Sequence, residues 1–354
     1  MGIPAVIAAG DGRAARAVYG ESKAYLRLHG RTLVARAVSA LQRVPEVDEV
    51  WVVGNAERLE RTLREDATLG QELRKPLTIV PQFRNLYENA WETYRRLLPG
   101  AGPAGRDPET PEDEAQWVLY LSADLPFATP QEISSFIERG RDLPCDYALG
   151  LVGESAMEPF YPKEPGGPGI TMAYFNLREG RFRQNNLHLV RPARLGKRHY
   201  VEEMYENRYQ KQLGNVLRLA WKIATDEGGG VRVLFYYGLM HLAGLLDRHG
   251  LRRLADRVRR LVTLERTERA CSALLDTRFR FVSTDVGGCA VDIDNEHDFD
   301  CAEARFEEWR EAQQRLAERI HGPLPLPETA GGAPPGPRVL PKAPPAEASA
   351  ESTE

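Results

Sequence analysis

The stretch that decides the fold is residues 3–13, Ile3-Pro4-Ala5-Val6-Ile7-Ala8-Ala9-Gly10-Asp11-Gly12-Arg13. Its apolar run is typical of a buried parallel strand, and two glycines end that run. Such glycines let a backbone turn sharply and bring its N–H groups close to a ligand. Arg13, Arg16 and Lys23 add positive charge nearby. The stretch predicts either a phosphate cradle or a plain tight turn. It has neither the third glycine of a dinucleotide fingerprint nor the Gly-Lys-Ser/Thr of a Walker loop.

Strand and helix patterns alternate after this stretch. Strand patterns lie at 47–53, 77–80, 117–122 and 147–152, and helical spacing lies at 31–43, 56–73 and 85–98. This alternation predicts an α/β fold with three layers (α/β/α) and a mostly parallel sheet. Residues 99–116 are rich in Pro, Gly and acids, which predicts a surface loop.

The second half of the chain has a different character. Strand patterns are expected at 170–176, 186–190, 279–282 and 290–293, and helices at 200–224, 231–246, 251–264 and 299–320. We expect one domain over 1–322, with a core of about 1–160 and 279–322 and a mainly helical insertion at about 200–277. The Pro/Ala-rich segment 323–354 has few large apolar residues, which predicts disorder.

Composition excludes several classes of protein. The chain has 354 residues, 42% hydrophobic and 28% charged, with a net charge of −4, which gives no reason to expect nucleic-acid binding. Its four cysteines show no CxxC spacing, which argues against a zinc site or disulfides. No apolar run approaches the roughly 20 residues of a membrane span, and no signal peptide is apparent. We expect a cytoplasmic protein.

Two acidic groups are candidate metal ligands. Asp124 follows the strand pattern at 117–122, and ligands of open α/β sheets bind at the carboxyl ends of strands. In the predicted strand at 290–293, alternation points Asp292 and Asp294 the same way, so that one or both meet Asp124. Carboxylates are good ligands for Mg²⁺. The alternatives are a turn aspartate at 124 and helix capping by residues 294–298.

Taken together, these motifs resemble the MobA-like nucleotidyltransferases, whose fold is GT-A-like and Rossmann-related. The matching parts are residues 8–13 (Ala-Ala-Gly-Asp-Gly-Arg), Lys23 with Leu28-His29-Gly30-Arg31-Thr32, Ala123-Asp124-Leu125-Pro126-Phe127, and residues 291–299. The resemblance covers residues 3 to about 151 and about 279 to 306. Three departures stand out: Ala14 where the family has arginine, Ser22 where it has proline, and Asn295-Glu296 where it has Thr-Pro.

The resemblance implies a Mg²⁺-dependent (or Mn²⁺-dependent) enzyme that transfers an NMP from an NTP, CTP or GTP, to a phosphorylated small-molecule acceptor and releases pyrophosphate. Lys23, Arg13 and Asp124 are the expected catalytic residues, and Asp124 and Asp294 the metal ligands. The expected nucleotide-binding residues are Ala8, Ala9, Gly10, Asp11, Gly12, Arg13, Lys23, Gln82 and Asn85. Capping is the alternative for Asn85 and Asn89.

Two basic segments are assigned less specific roles. Arg181, Arg183 and Asn186 are candidates for binding the acceptor phosphate, with an exposed basic turn as the alternative. The basic amphipathic helix expected at 251–264 suggests contact with an anionic membrane surface, with a solvated helix face as the alternative.

Two other functions fit parts of the pattern. A metal-dependent GT-A glycosyltransferase would explain the Asp-x-Asp at 292–294, but it would place that motif in the middle of the chain. A non-catalytic nucleotide-binding protein would explain the three departures. Pyrophosphate release from an NTP distinguishes the predicted enzyme from both.

Overall fold

The computed structural model describes residues 2–11, 17–198, 230–325 and 336–342. Gly12, Arg13 and the predicted helix at 200–224 lie outside these residues. So does the rest of the C-terminal segment.

The described residues form one large sheet of nine strands. These are β1 (Ile3–Ala9), β2 (Val47–Gly54), β3 (Leu77–Pro81), β4 (Val118–Ser122), β5 (Tyr147–Gly153), β6 (Phe175–Leu177), β7 (Gly180–Val190), β8 (Phe279–Thr284) and β9 (Arg338–Val339). Their spatial order is β8-β5-β7-β4-β1-β2-β3-β9, and β6 pairs with β7 off this path. All pairs are parallel except those of β7, which runs antiparallel to β4, β5 and β6. The predicted mostly parallel α/β fold is confirmed.

Helices cover both faces of this sheet. They are α1 (Leu33–Gln42), α2 (Ala56–Glu65), α3 (Ala67–Glu72), α4 (Leu86–Leu97), α5 (Pro111–Ala115), α6 (Pro130–Asp142), α7 (Gly230–Arg248), α8 (Arg252–Arg259), α9 (Leu264–Leu275), α10 (Glu296–Ala304) and α11 (Phe306–His321). The predicted helix at 56–73 is split because Asp66 ends α2 and caps α3. The predicted loop at 99–116 contains α5, which begins with a capping box.

Strand β1 is buried on both faces, which is why it reads as a continuous apolar run. Ile7 packs in a cluster with Val34 of α1 and Ile133 of α6. Val6, on the opposite face, packs with Tyr94 of α4. The carboxyl end of β1 is therefore held rigidly in the middle of the sheet.

Strand β7 is the antiparallel insertion between β4 and β5. Its ladder with β5 is irregular between Gln184 and His188. Asn185 is fully buried at this irregularity, where it faces Gly150 so closely that a Cβ on that glycine would lie 1.8 Å from the Asn185 Oδ1. The predicted strand at 170–176 is reduced to β6, and the one at 186–190 is part of the longer β7.

The predicted strand at 290–293 is wrong. Residues Gly288–Ala290 form a short 3-10 turn, and Val291 continues in an extended conformation without a ladder. At Gly288 a Cβ would lie 1.9 Å from the Phe127 carbonyl oxygen, so the chain crosses beside another loop instead of joining the sheet.

The disorder predicted for 323–354 is wrong at residues 336–342. There β9 pairs with the free edge of β3, with Arg338 opposite Thr78 and Val339 opposite Ile79. Leu340 is buried against Val80 and its neighbours. The composition of the whole segment concealed this short apolar run, Val339-Leu340, between prolines.

The helical region after residue 230 contains the predicted basic helix in a shorter form. Helix α8 spans Arg252–Arg259, and the expected residues beyond it divide between a turn and α9. Leu251, Leu254 and Leu261 are exposed in this region, as are several of its arginines. Within the described part of the chain, no helix is long and apolar enough to cross a bilayer.

Candidate nucleotide and metal site

The carboxyl end of β1 carries the first part of the site. Ala8 and Ala9 end the strand, and Gly10 and Asp11 follow it. The Asp11 amide donates to Gln82 Oε1 at 3.1 Å, and Gln82 Nε2 donates to Asp11 Oδ1 at 2.9 Å. This reciprocal pair ties the glycine turn to the end of β3, so two of the predicted nucleotide-binding segments lie together.

Asp124 lies two residues beyond the end of β4, on the strand next to β1. The Ala123 amide donates to the Ala8 carbonyl at 3.2 Å, which continues the ladder past the strand end. The carboxylate is buried and accepts a hydrogen bond from the Ser122 hydroxyl. Burial and this bond fix its orientation.

Asp292 and Asp294 approach from the far end of the chain. The Ile293 amide donates to the Asp124 carbonyl at 3.3 Å, so the two segments are joined through the main chain. Asn295 caps α10 by accepting from the Asp298 amide at 3.0 Å, and Asp298 Oδ2 accepts from the Asp294 amide at 3.1 Å. Asn295 and Asp298 therefore do the predicted capping, while the Asp294 side chain is left to face Asp124.

The three aspartates form one cluster. Asp124, Asp292 and Asp294 each offer a carboxylate oxygen, and these oxygens lie within 4.8 Å of one another. Three carboxylates at such separations repel one another unless cations neutralise them. Among the residues that the structure describes, this is the only such group of three or more acidic, histidine or cysteine ligands. The donor set of hard oxygens fits Mg²⁺ or Mn²⁺.

Lys23 neutralises part of this charge. It begins a 3-10 turn, Lys23–Tyr25, and its Nζ lies 3.1 Å from Asp124 Oδ2 and 2.5 Å from Asp294 Oδ1. Burial lowers the pKa of Lys23, but the two aspartates outweigh burial and raise that pKa overall. The ammonium therefore stays charged at all physiological pH values, between two of the predicted metal ligands.

Arg183 neutralises the third carboxylate. Its Nη2 lies 2.8 Å from Asp292 Oδ1, and its Nε donates to the Ala290 carbonyl at 2.7 Å. Burial, Asp294 and Asp124 raise the pKa of Asp292, and Arg183 and Lys23 partly oppose that rise. The sequence left open whether one or both of Asp292 and Asp294 would meet Asp124, and the structure brings both to it.

The remaining predicted acceptor residues separate. Asn186 Nδ2 donates to the Cys289 carbonyl at 3.4 Å, so it holds the segment that leads to Asp292. Arg181 instead pairs with Glu154 at 2.5 Å and lies over the Tyr174 ring. Arg183 and Asn186 thus lie beside the cluster, whereas Arg181 belongs to a separate exposed ion pair.

Asn85 and Asn89 have local structural partners. Asn85 caps α4 by accepting from the Glu88 amide at 2.8 Å. Asn89 Oδ1 accepts from the Phe83 amide at 2.6 Å, which shapes the turn after Gln82. Asn85 therefore acts as a helix cap in this structure, as the alternative proposed. Gln82 is the residue of this segment that contacts the glycine turn.

Glu132 holds the segment that leads to Asp292, a role that the sequence did not predict. It is fully buried on α6, where Oε2 accepts from the Cys289 amide at 2.9 Å and Oε1 from the Thr284 hydroxyl at 3.1 Å. Cys289 lies three residues before Asp292, so Glu132 anchors the segment that carries two of the aspartates. In sequence, Thr129-Pro130-Gln131-Glu132 reads as an ordinary capping box, and no signal separates the two roles.

The variant Glu132→Gln should gain stability relative to wild type, and this gain should be larger at pH 8 than at pH 5. Burial raises the pKa of Glu132 to about 7, although the hydrogen bonds from Cys289 and Thr284 favour the charged form. An acid whose pKa is raised on folding is harder to ionise in the folded protein than in the unfolded chain. It therefore lowers the free energy of unfolding as the pH rises from its unfolded-state pKa, near 4.5, through its folded-state pKa. The expected gain above pH 7 is on the order of 3 kcal/mol, and urea unfolding at pH 5 and pH 8 measures it.

Glu138→Gln is the control for this measurement, because Glu138 is an exposed residue of the same helix. Its difference from wild type should not change between the two pH values. If the difference in unfolding free energy between Glu132→Gln and wild type is also the same at both pH values, the buried carboxyl is not protonated on folding.

The family model described as the MobA-like NTP transferase domain matches residues 5–218. No curated protein matches the sequence at a significant level.

One solved structure shares the fold, and two others show a weaker similarity. A hypothetical transferase from Thermus thermophilus has 19% sequence identity and a TM-score of 0.53, with 84% of this chain and 100% of that chain covered. A 4-diphosphocytidyl-2C-methyl-D-erythritol synthase from Anaerococcus prevotii has 13% identity and a TM-score of 0.42, with 86% and 96% covered. A CMP:2-keto-3-deoxy-manno-octonic acid synthetase complexed with CTP has 13% identity and a TM-score of 0.44, with 87% and 99% covered. Because the family model matches more than half of the sequence, the chain belongs to the MobA-like NTP transferase domain family and is a nucleotidyltransferase.

Proposed function

We propose that this nucleotidyltransferase is Mg²⁺-dependent and transfers the NMP of CTP or GTP to a phosphorylated small-molecule acceptor. The observation that carries the proposal is the cluster of Asp124, Asp292 and Asp294, with Lys23 between two of its carboxylates. It lies at the carboxyl edge of the strands, next to the glycine turn after β1, where ligands of α/β sheets bind.

The three aspartates would hold the divalent ion. They are close enough to share one ion, and their hard oxygens suit Mg²⁺ or Mn²⁺. When bound, the ion would neutralise phosphate charge and act as a Lewis acid on a phosphoryl oxygen.

The residues of the β1 turn would bind the triphosphate. The Ala8 and Ala9 backbone would line the base side, and the Gly10 turn would receive phosphate oxygens. The Asp11 amide already donates to Gln82, so a phosphate there would exchange for that bond and free the Gln82 amide for the base. We assign Gly12 and Arg13 to the same phosphates on their sequence alone.

The chemistry would be an in-line displacement at the α-phosphorus. An acceptor phosphate oxygen would form the new P–O bond, the bond from the α-phosphorus to the bridging oxygen would break, and pyrophosphate would leave with both bonding electrons. Lys23 would stabilise the charge that develops on the α-phosphate. Arg183 and Asn186 would orient the acceptor phosphate, since both lie beside the carboxylate cluster.

A thermal-shift comparison of the four NTPs, with Mg²⁺ and with EDTA, tests this proposal. CTP or GTP should raise the melting temperature in proportion to the logarithm of its concentration, and only with Mg²⁺. Pyrophosphate should then be released when phosphorylated acceptors are added. Binding of NTP without pyrophosphate from any acceptor would favour a non-catalytic protein. Hydrolysis of nucleotide sugars instead of NTPs would favour a glycosyltransferase.

A further inference from the structure

The C-terminal strand β9 is anchored to the sheet by specific contacts. The Leu340 amide donates to the Ile79 carbonyl at 2.9 Å, which extends the ladder with β3 by one residue. Arg64 Nη2 donates to the Pro337 carbonyl at 3.1 Å on the other side. The Leu340 side chain is 6% exposed. A main-chain ladder combined with a buried apolar anchor fixes the position of Pro341 and Lys342.

The direction of β9 brings those residues to the nucleotide side of the sheet. Because β9 runs parallel to β3, its carboxyl end emerges at the same edge as the end of β3 and the turn after β1. Pro341 and Lys342 therefore lie next to Gln82, the residue that holds Asp11.

Together these segments line a partly open cavity of about 310 Å³. The lining residues include Gln82, Phe83 and Arg84 after β3, Arg96 of α4, and Pro341 and Lys342. The Arg96 guanidinium lies over the Phe83 ring, 4.9 Å from its centroid. Arg84 pairs with Glu88 at 2.8 Å. Lys342, which is exposed, has no ion-pair partner within the described ranges. The cavity thus offers an aromatic side chain, an amide and an uncompensated cation.

We propose that Pro341 and Lys342 form the outer wall of the nucleotide site and that Lys342 contacts the base or ribose of the bound NTP. This inference rests on the proposed function. An ammonium group only donates hydrogen bonds, so it favours a base that presents a carbonyl oxygen in addition to ring-nitrogen acceptors, as cytosine and guanine do and adenine does not. The Gln82 amide, which both donates and accepts, supplies the second contact.

Titration calorimetry of the full-length protein with CTP, GTP and ATP in Mg²⁺ tests the proposal. Lys342→Gln should raise the Kd of the preferred NTP about tenfold and reduce its preference over ATP, with an unchanged melting temperature. Leu340→Asp should raise that Kd at least as much, because a buried carboxylate undocks β9, and should also lower the melting temperature.

Arg338→Gln is the matched control. It removes a positive charge from the same segment, but Arg338 lies at the amino end of β9, away from the cavity. Its NTP affinity should equal that of wild type. If wild type binds an NTP and Lys342→Gln binds it equally well, the inference is wrong and the proposed function stands. If wild type binds no NTP, both are wrong.

Discussion

Asp124→Asn is expected to reduce kcat/KM for NTP turnover about a thousandfold. Asp124 is the most buried carboxylate of the cluster, and its orientation is set by Ser122 and by Lys23. Asparagine keeps the size of the side chain but replaces a charged oxygen by an amide, so the cluster loses one of three negative ligands. A thousandfold loss corresponds to about 4 kcal/mol of transition-state stabilisation, which is within the range of one metal contact. Pyrophosphate release at saturating Mg²⁺ measures the effect.

The matched control for this variant is Asp142→Asn, an exposed carboxylate at the end of α6. It should retain wild-type turnover. Raising Mg²⁺ or Mn²⁺ should partly restore Asp124→Asn, because a weakened site is filled by mass action. Wild-type turnover for Asp124→Asn would exclude the cluster as the metal site.

Lys23→Met should have opposite effects on catalysis and on metal binding. Loss of the ammonium removes the cation assigned to the α-phosphate, and turnover should fall by two to three orders of magnitude, about 3–4 kcal/mol. In the nucleotide-free protein, however, Lys23 lies on two of the three carboxylates, so an ion has to displace it. Without Lys23, Mn²⁺ should bind the nucleotide-free protein about tenfold more tightly, since the unpaired carboxylates attract it more strongly.

Electron paramagnetic resonance of free Mn²⁺ measures that affinity directly. Lys163→Met is the control, because Lys163 forms an exposed ion pair with Glu308. It should leave both turnover and Mn²⁺ affinity unchanged. Weaker Mn²⁺ binding by Lys23→Met would mean that Lys23 orients the carboxylates instead of competing with the ion.

The parallel half of the fold was predictable because its signals are local. The run at β1, the strand patterns of β2 to β4 and the helices between them follow directly from hydrophobic periodicity. Asp124 was predictable because it follows a strand whose carboxyl end lies at the ligand-binding edge of the sheet. Asp292 and Asp294 were expected to meet it from a strand at 290–293, which the structure does not contain. Although residues 291–294 are not in a ladder, Asp292 and Asp294 still reach Asp124 from one segment.

The features that sequence missed depend on distant partners. Glu132 anchors Cys289, a residue far along the chain, and no local pattern distinguishes that role from capping. The antiparallel direction of β7 is decided by its two neighbours, and the docking of β9 by the free edge of β3. These contacts join segments that are far apart in sequence and carry no common pattern, so only the tertiary structure reveals them.

The long chain separation within the site bears on when the enzyme becomes active during its synthesis. Lys23 contacts Asp124 across 101 residues and Asp294 across 271 residues. Contacts this distant in sequence close late, because the loop entropy of the intervening chain opposes them. A nascent chain can assemble β1 to β4 and the β1 turn well before residue 294 leaves the ribosome. It then has an incomplete carboxylate set, so the ability to hold a metal ion would appear only after residue 294 has left the ribosome.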